Sequence, residues 1–224
     1  MGRHVEVDRA HAHHQRVGLA RLERPVAGED DALVGVEPED AACLKAALDA
    51  GANIVNNIMG THLNIDLLKM VKNYDAAIVL MHIQGTPNTM QNNIHYTDLI
   101  NDIMQALRES IEKCLEIGIK SDRMIVDPGI GFGKTVEHNL SILNQLNTFS
   151  HLDKPLLIGT SRKSFIGKVL TRDMDKRLVG TAATVTAGIL RGAHIVRVHD
   201  VKAARDTVVM SDAVINESYS EPLL

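Results

Sequence analysis

Five short apolar segments recur along the chain, each ending in polar residues and followed, after a loop, by sequence of helical period. No other feature restricts the fold as much. Residues 53–57 (N-I-V-N-N), 77–82 (A-I-V-L-M-H), 124–127 (M-I-V-D), 155–159 (P-L-L-I-G) and 194–198 (H-I-V-R-V) predict strands. Residues 39–50, 65–73, 97–117, 137–146, 177–191 and 201–214 predict helices. In the longest, Leu99, Ile103, Leu107, Ile111 and Leu115 recur at helical spacing, while Gly51, Gly118 and Gly192 stand where helices stop. Short apolar strands alternating with helices imply parallel βα units whose strands are covered on both faces. A doubly wound sheet and a (β/α)8 barrel both satisfy this pattern, and both collect function at the C-terminal ends of their strands. Asn56, His82, Asp127, Ser161-Arg162-Lys163, Arg197 and His199 fall at those ends, as a ring around one pocket would.

The 224 residues suffice for one large domain, or for a barrel slightly under the usual size of about 250. A net charge of −4 leaves no basic footprint for nucleic acid, and 3% aromatic residues with no Trp argue against base stacking. Cys43 and Cys114 lie far apart without metal-ligand spacing, which suits a reducing compartment. With no apolar run near 18 residues and no signal-peptide segment, the expectation is a cytoplasmic protein without membrane contact.

Composition changes near residue 40. Residues 1–50 contain no Asn, no Ile and a single Lys, Lys45, whereas all three are plentiful afterwards. The opening is rich in His and Arg and shows no sustained period. His11, His13 and His14 admit a metal-binding tract, but clustered His without ordered geometry is a weak warrant. The preferred reading is an atypical leader over residues 1–38, a barrel portion over 39–215 and a tail over 216–224.

D-P-G-I-G-F-G-K-T, starting at Asp127, looks at first like a phosphate loop. A Walker A loop needs a glycine five residues before Gly133, and that position is Pro128. The anion-binding chemistry lies instead in Arg162, Lys163, Arg197 and His199, four potential cations at neighbouring strand ends that suit phosphate or pyrophosphate. The bland alternative places them on a solvated rim. The two acceptor oxygens of Asp127 suit a ligand offering adjacent N–H donors, as a guanine or pterin does. Its bland alternative is an Asx turn before Pro-Gly. Asn56 offers both a donor and an acceptor to the same heterocycle, or is a turn residue. There is no Ser-His-Asp ordering, no zinc spacing and no glycosidase carboxylate pair.

These segments, taken in order, resemble bacterial dihydropteroate synthases. L-M-H-I-Q-G-T-P, D-P-G-I-G-F-G-K, G-T-S-R-K-S-F-I-G and R-V-H-D-V carry the resemblance from about residue 41 to residue 201. It implies an α/β fold, a TIM-type (β/α)8 barrel, here lacking its first three βα units. It also implies joining p-aminobenzoate to 6-hydroxymethyl-7,8-dihydropterin pyrophosphate, with release of pyrophosphate. By the same resemblance, Asp127 and Asn56 bind the pterin, Lys163 contacts its ring, and Arg197 and His199 hold the pyrophosphate. Met81, Phe132 and Gly159 would line the site, with Ser161 and Arg162 bordering the aminobenzoate pocket. Magnesium is implied as cofactor and a homodimer as assembly. The family's N-V-T-P-D-S-F-S-D-G-G and S-T-R-P-G loops and its S-V-D-T strand end are absent, and V-G-V-E-P-E-D at residues 34–40 stands where the last would lie. A non-catalytic pterin-binding remnant and a pterin-dependent methyltransferase remain alternatives. The second is disfavoured, because methyl transfer has no pyrophosphate to hold.

Overall fold

The computed structural model of the chain describes residues 4–6, 18–21, 35–36, 41–57 and 64–218, the first three stretches for backbone alone. The strands are β1 (His4–Glu6), β2 (Gly18–Arg21), β3 (Gly35–Val36), β4 (Ile54–Asn57), β5 (Ala77–Met81), β6 (Met124–Asp127), β7 (Leu157–Ile158) and β8 (Ile195–Val198). The helices are α1 (Ala41–Asp49), α2 (Ile65–Asn73), α3 (Leu99–Ile117), α4 (Val136–Asn144), α5 (Ser164–Leu170), α6 (Leu178–Ile189) and α7 (Val201–Asn216).

Strands β3, β4, β5 and β6 pair in that order, all parallel. A parallel bridge between Val126 and Leu156 carries the arc across to β7, which pairs parallel with β8. The expected succession of βα units is therefore present from β4 onward. In β5, Ile78, Val79, Leu80 and Met81 are all buried, as a parallel strand covered on both faces requires.

The first segment differs from the sequence reading. It contributes three strands, and β2 runs antiparallel along β8, setting Leu19 opposite Arg197. A barrel without its first units would leave that edge of β8 unpaired; here β2 covers it, and β1 pairs antiparallel with β2. The His tract at His11, His13 and His14 lies outside the described residues.

Helix α3 also differs in its buried face. Ile103, Leu107 and Ile111 are buried as expected, but Leu115 is 47% exposed and Cys114 takes its place in the core. The cause is geometric. Each four-residue step overshoots a full turn by about 40°, so a strict i+4 series rotates off the buried face within a few turns. Asp98 caps the start of α3 by accepting from Asn101 N, and Gly118 ends it in the left-handed region at φ 92°.

Candidate active site

Ile54, Val79, Ile125 and Leu157 form a small buried cluster of their own, with Ala77 and Ile195 packed against it. Each comes from a different strand except the β5 pair, as the inward-facing layer of a barrel does. Side chains alternate along a strand, so the residue two positions further on faces the same way. Those residues are Asn56, Met81, Asp127, Gly159 and Arg197. Register agrees, since Met81 stands opposite Asp127. Asn56, Met81 and Asp127 are buried. A Cβ added to Gly159 would meet nothing within 4 Å, so that position faces open space. The period of two thus brings five of the sequence-predicted residues to one rim.

The turn after β6 shapes one side of this rim. Asp127 Oδ1 accepts a 2.7 Å hydrogen bond from Gly129 N, so the Asx turn is real and engages one carboxylate oxygen. Gly129 has φ +70°, and a Cβ there would lie 1.8 Å from the carbonyl oxygen of His82. No other residue fits. Gly131 donates its N–H to Asn139 Oδ1 at 2.7 Å, and buried Asn139 returns a bond to Thr135 O, fixing the turn to the first turn of α4. Phe132, at the tip, lies under Lys163, whose Nζ sits 3.9 Å from the ring centroid.

The other side is built after β7 and β8. Ser161 Oγ accepts from His199 N at 3.1 Å and lies 3.0 Å from His199 Nδ1, which ties the two strand ends together. Arg162 holds a left-handed φ of 56°, with its N–H donated to Thr181 Oγ1 and its carbonyl accepting from Arg177. Its guanidinium grips Asp200 with two bonds, 2.9 Å and 2.5 Å, while remaining about one-third exposed. That pairing differs from the sequence reading, which counted Arg162 among the cations open to an anion.

Arg197 and Lys163 couple the two sides electrostatically. Burial pushes Asp127 up to about 6, against the Gly129 N–H and the charges of Lys163, Lys134 and Arg197. Burial also lowers His82 to about 3, helped by Lys134, so the imidazole is neutral. Burial lowers His199 below its ordinary value, and Arg162 and Arg197 lower it further. Lys163 and Arg197 thus act on both Asp127 and His199, while Arg162 and Asp200 act on His199.

Sequence reasoning missed Lys134 and Asp200. Both stood in quoted motifs, G-K-T and R-V-H-D, but nothing in those strings shows that Lys134 turns inward or that Asp200 claims Arg162.

The profile of a family described as pterin binding enzyme matches residues 8–199 of the chain. This chain belongs to that family. The match reaches into the segment read as a leader. A dihydropteroate synthase of Synechocystis sp. is 42% identical over 187 residues, covering 83% of this chain and 65% of that protein. The chain thus spans slightly less than two thirds of that relative. Among solved structures, the Yersinia pestis dihydropteroate synthase in a sulfonamide drug complex is 34% identical with a TM-score of 0.80, covering 84% of this chain and 68% of the other. The Clostridium difficile enzyme, solved in the presence of pteroic acid, is 37% identical with a TM-score of 0.76, covering 82% and 68%. The pterin-binding family fold is thereby an α/β barrel type with parallel strands, and no described helix is long and apolar enough to cross a membrane.

Proposed function

We propose that this chain is a dihydropteroate synthase, condensing p-aminobenzoate with 6-hydroxymethyl-7,8-dihydropterin pyrophosphate and releasing pyrophosphate. The observation that carries this reading is the strand-end rim. It sets buried Asp127 and Asn56 on the same inner face as Arg197, with Lys163 lying over Phe132 beside them. Asp127 and Asn56 read the pterin edge. Lys163 faces both the ring and the leaving group, while Arg197 and His199 hold pyrophosphate oxygens. Pyrophosphate departs with the bonding electron pair from a carbon that the electron-rich pterin stabilises as a cation. The aromatic amine nitrogen then bonds to that carbon and loses a proton. Such an amine has its lone pair free at neutral pH, so no activating triad is needed. Catalysis rests on placement and on charge at the leaving group. Ser161 and Arg162 border the aminobenzoate side, where the sulfonamide-bound relative motivates the same assignment.

Magnesium is expected with the pyrophosphate. Among the described residues no group of three His, Cys, Asp or Glu side chains could hold a metal by itself, and such an ion ordinarily takes its ligands from substrate phosphates with one or two carboxylates. Residues 1–38 are an atypical leader, 39–215 the barrel portion and 216–224 the tail. The free thiols of Cys43 and Cys114 favour the cytoplasmic placement. A homodimer is favoured by exposed apolar side chains on α6 and α7, including Leu178, Val179, Val209 and Met210.

The test is dihydropteroate formation by the purified chain supplied with both substrates and magnesium. Product that the Lys163→Ala variant fails to make is the expected result. Pterin binding without product would favour the remnant, which the absent family loops motivate. Methyl transfer from methyltetrahydrofolate to a corrinoid protein would favour the methyltransferase.

A further inference from the structure

Lys134 is only 4% exposed, an unusual place for a lysine. Its Nζ donates to the carbonyl of Phe132 at 2.9 Å and lies 3.0 Å from Nδ1 of His82, itself buried. The lysine therefore closes the turn onto itself and ties it to the end of β5. Gly129 connects this strut to Asp127. Its N–H holds Asp127 Oδ1, and a Cβ on it would meet the His82 carbonyl and come within 3.4 Å of Lys134 Nζ. One residue thus touches the carboxylate on one side and the lysine–histidine pair on the other.

We propose that Lys134 is a positioning residue for Asp127, holding the glycine turn against His82 and placing its ammonium behind the carboxylate that reads the pterin. The inference rests on the pterin-reading role given to Asp127 above. An ammonium donating to Nδ1 requires that nitrogen to be an acceptor, so His82 is the neutral Nε2–H tautomer, in accord with its strongly lowered proton affinity. Burial pushes Lys134 itself down to about 7, Asp127 holds it up and Lys163 depresses it further. The groups facing Asp127 are Lys134 from its own turn, Lys163 at the start of α5 and Arg197 from β8. Facing Lys134 are His82 after β5, Asp127 and Lys163, with the Tyr96 ring 5.9 Å beyond His82. Removing one of the three cations around Asp127 leaves its ionised form less favoured, so its proton is lost at higher pH.

The experiment compares wild type with Lys134→Met, a side chain of similar length without charge, across pH 5–8. In the wild type, kcat/KM for dihydropterin pyrophosphate should rise with pH through about 6, as Asp127 ionises. In Lys134→Met that rise should move up by about one pH unit, as loss of a neighbouring opposite charge implies. At pH 5, below both midpoints, kcat/KM for the pterin substrate should fall about tenfold, narrowing to about twofold at pH 7, with KM for p-aminobenzoate nearly unchanged. Equal losses for both substrates with the acid limb unmoved would make Lys134 a merely structural tie and overturn the proposal. A variant that behaves as wild type would overturn it too, while leaving the synthase reading intact. A wild type that makes no dihydropteroate would instead strike the synthase reading itself. A second measurement needs no variant: imidazole 15N spectra of wild type should show His82 as the neutral Nε2–H form from pH 5 to 6, where Lys134 is an ammonium. An Nδ1–H tautomer would overturn the proposal.

Discussion

The two sides of the rim solve different problems. Around Asp127 the groups are buried, few and locked. One carboxylate oxygen is held by a backbone N–H, a neutral His82 lies behind, and a glycine is pressed against a carbonyl where no side chain fits. Around Arg162 and His199 the groups are half-exposed, numerous and paired with one another through Asp200 and Ser161. Reading a flat heterocycle by hydrogen bonds requires donors and acceptors whose positions are fixed in a dry setting, where an unmatched group is costly. On the other side His199 is disposed to be neutral and Arg162 is paired with Asp200, which suits bordering a substrate, while the positive charge for the leaving group comes from Arg197 and Lys163. The raised proton affinity of Asp127 is a consequence of the first requirement.

If the contrast is right, substitutions on the buried side cost more than substitutions on the exposed side. Asp127→Asn replaces an acceptor by a donor facing the ligand's N–H groups. It should lower kcat/KM for the pterin substrate about a thousandfold, as for other sites whose buried polar match is broken. Lys163→Ala and Arg197→Ala should each lower turnover about a hundredfold or more, the usual loss for one well-placed electrostatic donor. Near-normal turnover in both would remove the leaving-group role. Asp200→Asn frees Arg162 from an ion pair that is about one-third exposed, and such pairs contribute under about 1 kcal/mol. Steady-state kinetics should show a change of about fivefold or less, seen mainly in KM for p-aminobenzoate. A loss as large as that of Asp127→Asn would erase the distinction between the two sides.

Much of this arrangement was legible in the chain itself. The strands from β4 to β8 are short and apolar, and of the polar residues at their ends the structure gathers Asn56, Asp127 and Arg197 at the rim while setting His82 behind it. Asn56, Asp127 and Arg197 needed only the period of two, counted from the apolar residues Ile54, Ile125 and Ile195. What was not legible depended on contacts between distant segments. Helix α5 escaped notice because seven residues containing Gly167 and lacking a side-chain cap show little pattern. Lys134 escaped because its motif suggested a phosphate loop that Pro128 then excluded. Only folding shows its ammonium reaching His82, 52 positions earlier. The antiparallel docking of β2 on β8 joins residues nearly the whole chain apart, and no local period signals it. Leu115 was misplaced for a reason that could have been counted, the angular drift of an i+4 series.

The most direct test of the two-sided account is calorimetric titration of Asp127→Asn with pyrophosphate alone and with dihydropterin pyrophosphate, in magnesium, beside the wild type. The account predicts that pyrophosphate affinity is unchanged, while dihydropterin pyrophosphate falls toward the affinity of pyrophosphate alone, because the heterocycle has lost one of its readers. Equal weakening of both ligands would contradict it, since Asp127 would then support the whole rim rather than read one end of the substrate.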